Sequence, residues 1–367
     1  MVKNIFKHIL AKVDVHINGS RAWDLKINDE KAYWHFLKGS LGLGESYMKG
    51  LWDCDKLDEM IYRIVKSKVD SQTFRIDVIL GKIIGRLFNL QTKRLSQKVA
   101  KVHYDIGNDF YASMLDPYMQ YTCGYWANAQ NLNQAQEHKL DLICRKLMLQ
   151  PNEKVLELGC GWGGFAKFAA EQYGCHVTSV NISREQVAYA RNLCKHLPVK
   201  IIHSDYRDIK GTFDKIVSVG MLEHVGYKNY RSFSMQVQNC LKKGSIALIH
   251  TIGSNLSTVT TDPWIDKYIF PGSKCPSLRQ LLGASEEYLI VEDIHNLSVD
   301  YDYTLMAWYE NFNKSWPRFE KKYGHRFYRM WKYYLLLCAA VFRARKTQLW
   351  QIIFSHNGLE GGYRSIR

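Results

Sequence analysis

The residues best suited to chemistry begin with the run Val155-Leu-Glu-Leu-Gly-Cys-Gly-Trp-Gly-Gly164. Apolar residues lead into glycines at 159, 161 and 163, and such glycines let a backbone turn sharply and approach a ligand closely. A strand, a glycine turn and a helix in this order form a cradle for an adenosyl cofactor. A dinucleotide site shares that pattern, but it wants an acidic residue closing the second strand, where this chain has Val180-Asn181-Ile182. Glu157, two residues before the first glycine, is placed to orient the turn or to meet an amino group, which points to S-adenosylmethionine. Asn181, Ile182 and Gln186 are candidates for the ribose side. Asp205 is a candidate acceptor for the adenine amino group, with a helix cap as its other reading. Tyr206, near the adenine ring, and Tyr121 complete the cofactor set. A sulfonium methyl donor needs an acceptor aligned at about 3–3.5 Å, and little else for the transfer itself.

These groups need a sheet to position them. The pattern predicts strands over Lys154–Leu158, His176–Asn181, Val199–His203, Phe213–Val219 and Ser245–Ile252, with Leu289–Glu292 and Trp350–Phe354 as two more. Ser183, followed three residues later by Gln186, reads as a helix cap. Strands alternating with helices imply a mostly parallel seven-stranded α/β sheet, Rossmann-like, of the class I S-adenosylmethionine-dependent methyltransferase type. Ligands then gather beyond the carboxyl ends of the strands. Residues 1–75 read as a small, mainly helical domain, 76–100 as a connector and 101–367 as the S-adenosylmethionine-dependent catalytic domain with insertions. Leu57, Ile61 and Ile64 give one helix an apolar face. The four glycines of Gly39–Gly50 read as turns.

The chain has 367 residues and a formal charge of +15. Eleven of its last 50 residues, from Arg318, are Lys or Arg, against Glu320 and Glu360 alone. That density suits an anionic surface, either phospholipid headgroups or nucleic acid. No apolar run approaches the roughly 18 residues of a membrane span, and the first residues lack a secretion signal. Nine cysteines without metal-ligand spacing read as free thiols, and no metal is expected. Taken alone, Cys123 reads as a core thiol and His250 as a satisfied core histidine. The Tyr333–Phe342 run reads first as a core helix.

Several segments together resemble the cyclopropane-fatty-acyl-phospholipid synthase family. They are Gln120-Tyr-Thr-Cys-Gly-Tyr-Trp126, Val217-Ser-Val-Gly-Met-Leu-Glu-His-Val-Gly226, Leu248-Ile-His-Thr-Ile-Gly253, Asp262-Pro-Trp-Ile-Asp-Lys-Tyr-Ile-Phe-Pro271 and Glu292-Asp-Ile-His-Asn-Leu-Ser-Val-Asp-Tyr-Asp302. Phe342–Trp350, Gly39–Met48 and Leu87–Gln91 extend the likeness over nearly the whole chain. Gly124 stands where some members carry Ala, and Asn181 where Thr is frequent.

The resemblance implies transfer of a methylene carbon to a cis double bond of an acyl chain in membrane phospholipid, forming a cyclopropane. It implies bicarbonate as the base, caged by Cys123, Glu223, His250, the backbone of Ile252, and Tyr301. Glu223 either accepts from the bicarbonate hydroxyl or orients His250. Tyr125, Trp126, Trp264, Phe270 and Trp308 are candidates for the acyl tunnel, where a ring face beside a desolvated cation contributes about 2 kcal/mol. A homodimer, peripheral on the inner, cytoplasmic face of the membrane, also follows from the resemblance. The mycolic-acid branch usually lacks the long amino-terminal domain, so an ordinary phospholipid is the expected substrate. The competing readings are a methyltransferase that leaves a methyl branch or methylates another small molecule, and an RNA methyltransferase. No RNA-binding motif accompanies the core, so no nucleic-acid partner is expected.

Overall fold

The computed structural model describes residues 2–67, 106–258 and 261–367. The connector 76–100, the domain boundaries beside it and the Leu87–Gln91 segment lie outside these residues. By contact, the described chain forms two units. One gathers 2–67, 261–271 and 301–347; the other gathers 106–258, 272–300 and 348–367.

The first unit is mainly helical. Its helix Leu57–Lys66 buries Leu57, Met60 and Ile61. Asp58 and Glu59 in the first turn and Arg63 and Lys66 in the last complement the helix dipole. A two-residue pair, β1 (Lys26–Ile27) with β2 (Trp52–Asp53), runs antiparallel. The glycine-rich stretch expected to be turns is instead a helix, Gly39–Met48. Its glycines serve close packing: a Cβ on Gly42 would sit 1.8 Å from the His35 carbonyl oxygen, and one on Gly44 would sit 2.4 Å from the Trp264 indole. Packing therefore overrides the weak helix propensity of glycine. Tyr333–Phe342 lies in the long helix Glu320–Arg343 and is mostly buried, a core segment as its composition suggests.

Part of the basic carboxyl-terminal run is committed to internal pairing. Arg329 is buried and donates to the Tyr47 carbonyl at 2.5 Å and the Trp52 carbonyl at 2.8 Å. Arg343 pairs with Asp302 and with Asp58. The exposed bases include Arg318, Lys321, Lys322 and Arg326, around the start of the long helix, and Arg345, Lys346, Arg364 and Arg367 beyond its end.

The second unit is a seven-stranded sheet under helices. Its strands are β3 (Lys154–Leu158), β4 (His176–Asn181), β5 (Val199–His203), β6 (Phe213–Val219), β7 (Leu241–Ser254), β8 (Ile290–Asn296) and β9 (Thr347–Ser355), in the order β5-β4-β3-β6-β7-β9-β8. β3 to β7 pair in parallel, and β8 is antiparallel to β9. The first four predicted strands have the predicted bounds. The other three are longer than the pattern indicated. β8 extends through Asp293 and His295 because ion pairs and hydrogen bonds satisfy those polar groups.

Alternation along the strands divides the core into two layers. Leu156, Leu158, Ile216, Ala247, Ile249, Ile352 and Phe354 pack with Phe233 and Val237 on one face. Val155, Val177, Val217, Leu248 and Ile353 pack with Leu140, Ile143, Phe165 and Phe168 on the other. A sheet buried on both faces explains the near-continuous apolar strands. The chain leaves β3 for β4 on one side and reaches β6 on the other. That switch opens a crevice at the carboxyl ends of β3 and β6, where a ligand is expected.

Candidate functional site

The glycine turn occupies that crevice. Gly159, Gly161 and Gly163 have φ of 88°, 50° and 89°, in the left-handed region that favours glycine. Gly159 and Cys160 donate backbone hydrogen bonds to the Val180 carbonyl at 2.9 and 3.2 Å, which ties the turn to β4. The helix Gly164–Tyr173 begins directly after it. A Cβ on Gly161 would meet nothing within 4 Å, so this turn presents open backbone. An adenosyl cofactor fits such a cradle.

The candidate cofactor residues divide into groups. Asn181 donates to the Gly161 carbonyl at 3.3 Å and to Gln186 at 3.0 Å, while its oxygen accepts from the Ser183 N–H. It thus joins the turn to the next helix, which Ser183 caps through the Gln186 N–H. The Ile182 carbonyl accepts from His203 at 3.1 Å. Glu157 is buried and accepts from Ser179 Oγ at 2.6 Å. Burial pushes its carboxyl up to about 7, opposed by the Ser179 bond and the Lys139 charge. Asp205 caps a short turn of helix and holds Arg207 through both oxygens, at 2.7 Å each. The Tyr206 ring packs 5.6 Å from Phe233. Tyr121 is brought to the turn through Tyr111, whose ring lies 5.2 Å from it and 5.0 Å from Trp162 of the glycine run.

The Cys123 segment lies across the same strand ends. A Cβ on Gly220, just after β6, would fall 2.8 Å from Thr122 Cγ2. Lys139, fully buried on the helix Leu132–Lys146, donates to Gln120 Oε1 and to Thr122 Oγ1, the latter at 3.0 Å. Its burial holds the ammonium down to about 8, against the pull of Asp116, Cys123 and Glu157. Cys123 is wholly buried, with Sγ 3.1 Å from the Gly124 carbonyl oxygen. Tyr125 sits edge-on to His295 at 6.1 Å, and the Trp126 N–H donates to Asp300 at 2.7 Å.

Glu223 and His250 supply the reactive-looking pair. Glu223 follows β6 and is 6 % exposed; His250, on β7, is 1 % exposed. Glu223 Oε1 accepts the Ile252 N–H at 2.6 Å. Its Oε2, and the Nε2 of His250, are buried polar atoms with no hydrogen-bond partner among the described residues. Burial pushes the Glu223 carboxyl up to about 7. Burial, aided by the charges of Lys139 and Lys146, holds the His250 imidazole well below its usual range and therefore neutral. An orphaned carboxyl oxygen and an orphaned imidazole nitrogen, both buried, are each expected to cost about 1–3 kcal/mol unless a ligand meets them. A small oxyanion carrying one hydroxyl fits this donor and acceptor set.

Two expectations change here. The Ile252 N–H, expected to point at an anion, is held by Glu223. The partner that orients His250 is not Glu223 but Gln351, whose Nε2 is 3.2 Å from His250 Nδ1. No motif singled out Gln351; its only signal was a polar residue in the apolar run of β9.

Tyr301, Trp264, Phe270 and Trp308 belong to the helical unit. Tyr301 lies 4.5 Å from the Phe342 ring and 6.1 Å from that of Trp308. Trp264 is fully buried against Tyr333 at 4.7 Å, and Phe270 packs edge-on to Tyr334 at 5.8 Å. These rings form the aromatic packing of that unit.

Comparison with known proteins gives a consistent result. The family model described as mycolic acid cyclopropane synthetase matches residues 91–352. Cyclopropane-fatty-acyl-phospholipid synthase of Escherichia coli (strain K12) is 47% identical over 365 residues, covering 99% of this chain and 95% of that protein. A probable fatty acid methyltransferase of Pseudomonas putida is 35% identical over 279 residues, covering 71% and 70%. Among solved structures, a mycolic acid cyclopropane synthase complexed with SAH and CTAB is 26% identical. It superposes with a TM-score of 0.66, over 70% of this chain and 97% of that one.

Proposed function

The chain belongs to the mycolic acid cyclopropane synthetase family, and from that premise we propose that it converts cis-unsaturated acyl chains of membrane phospholipid into cyclopropane chains. It is an S-adenosylmethionine-dependent enzyme that delivers a one-carbon unit to an unsaturated lipid. The observation that carries the phospholipid reading is the 47% identity to the Escherichia coli synthase along 99% of the chain. The mycolic acid synthase structure, by contrast, reaches over 70%.

S-adenosylmethionine, when bound, supplies a methyl group on a positively charged sulfur. The turn Gly159–Gly163, with Asn181, Gln186, Asp205 and Tyr121 around it, holds that donor. Bicarbonate, when bound, would supply the base that takes the proton leaving the transferred methyl group of the carbocation, so that the ring can close. Glu223 presents Oε2 to its hydroxyl, because the Ile252 N–H already occupies Oε1. His250 donates from Nε2, and Cys123 closes the buried side. Tyr301, one residue after the Asp300 that anchors Trp126, is the further member implied by the resemblance. Such fixed dipoles stabilise charge without reorganising at the moment of reaction. Tyr125, Trp126, Trp264, Phe270 and Trp308 are the residues the resemblance implies for the acyl path.

The reading includes a homodimer on an anionic membrane surface at its inner, cytoplasmic face. The exposed Arg318, Lys321, Lys322 and Arg326 and the charge of +15 support the surface attachment. Among the described residues no helix is long and apolar enough to cross a membrane. The test is to incubate the protein with labelled S-adenosylmethionine and vesicles of cis-unsaturated phospholipid, then to analyse the acyl chains. Chains heavier by one CH2, lacking the double bond and carrying a ring, are expected. Methyl-branched chains would replace this reading with that of a lipid methyltransferase.

A further inference from the structure

His250 sits in a polar row that crosses the sheet. β7, β9 and β8 are successive neighbours, and Gln351 on β9 stands directly opposite His295 on β8. Opposed residues of an antiparallel pair point to the same face. Strand alternation puts His250, Gln351 and His295 on the face that carries Val217, Leu248 and Ile353, which the helix Leu132–Lys146 covers. That helix directs two buried lysines inward, seven residues apart. Lys139 is bonded to Gln120 and Thr122, and the Nζ of Lys146 is 2.9 Å from His295 Nδ1.

Burial, with the amines of Lys139 and Lys146 nearby, disfavours a positive charge on the imidazole. His250 is therefore neutral and has one N–H to place. The Gln351 amide nitrogen faces His250 Nδ1 at 3.2 Å, with its Oε1 left without a partner among the described residues; in this orientation the NH2 can only donate to the ring. A ring nitrogen that accepts a hydrogen bond carries no hydrogen, so the hydrogen is on Nε2, the atom left without a protein partner. We infer that Gln351 is a positioning residue that locks His250 as the Nε2–H tautomer, making it a hydrogen-bond donor to the reacting anion and not a base. The role in the reaction rests on the function proposed above; the tautomer itself does not. The lock also assigns complementary duties, with His250 donating and Glu223 accepting. A hydroxyl-bearing oxyanion matches both, and a bare halide matches only the first.

The experiment uses the full chain with 15N-labelled histidine. Ring nitrogen shifts are read without ligand, and the His250 signals are identified by their loss in His250→Phe. Nδ1 should be of the unprotonated type and Nε2 of the protonated type, unchanged from about pH 6 to 9. Gln351→Glu, of nearly the same shape, supplies an acceptor to Nδ1. It should invert the pattern and lower kcat about 100-fold, while the dissociation constant for S-adenosylmethionine moves less than about 3-fold. Gln351→Met keeps the volume and removes the hydrogen bond, so it should give a mixed pattern and an intermediate kcat even if the Glu variant fails to fold. A protonated Nδ1 in the unaltered protein, or the same pattern in both variants, would overturn the inference. If the tautomer behaves as expected but no ring-bearing lipid forms, the lock stands and the proposed function falls.

Discussion

The two faces of the sheet share one backbone and differ in purpose. On one, Ile216, Ala247, Ile249, Ile352 and Phe354 meet Phe233 and Val237 in an apolar layer. On the other, equally apolar residues share the face with Glu157, Ser179, His250, Gln351 and His295, under a helix that buries Lys139 and Lys146. Burying so many polar groups is unfavourable unless each is paired. Most are paired with one another; among the described residues the unpaired atoms of Glu223 and His250 belong to the proposed anion site, and the Oε1 of Gln351 beside them also lacks a partner. The contrast teaches that one face is purely apolar packing while the other also carries the buried polar groups proposed for the chemistry.

The largest effect that tests this contrast is expected at Glu223. Glu223→Gln keeps the shape and the bond-forming position but loses the acidic oxygen. Turnover should fall at least about 100-fold, with S-adenosylmethionine affinity changed only a few-fold, as read by product formation and calorimetry. Retained activity would remove Glu223 from the site. On the apolar face the reverse pattern is expected. Phe354→Ala, in a 5 % exposed position, should cost about 3–5 kcal/mol in denaturant unfolding. The protein that stays folded should keep its kcat. A matching fall in kcat would show that the two faces are not separable.

The smallest effect concerns Lys146. Burial, reinforced by Arg367, lowers its amine to about 7, although Asp293 opposes this. An unfolded lysine titrates near 10.4. Between about pH 7 and 10 the unfolded chain therefore binds more protons than the folded one, and stability should rise with pH. Lys146→Met should flatten that rise in a series of melting curves. An unchanged slope would mean that the amine is charged in the folded protein.

Two glycine-rich stretches show how far the sequence was legible. In Gly159–Gly163 the glycines alternate after an apolar strand, and the left-handed turn, the helix and the cofactor follow from local geometry. Gly39–Gly50 has similar composition, yet it contains a helix because Trp264 and the His35 carbonyl leave no space for side chains. That cause lies partly in a residue more than 200 positions away and was invisible locally. The resemblance singled out Glu223, His250 and Cys123 for the proposed anion site, but their hydrogen bonds could not be read from it. The Ile252 N–H turned to Glu223, and Gln351 took the place beside His250, through a strand register that no short segment records. β8 was cut short for a related reason: Asp293 and His295 look unlike strand residues until Arg367 and Lys146 are beside them.

The most direct test of the anion site is turnover in buffer stripped of carbon dioxide, with bicarbonate then added back. The account predicts a slow basal rate that rises to saturation with bicarbonate, and no such rise in Glu223→Gln. A rate that does not respond to bicarbonate in the unaltered protein would contradict it.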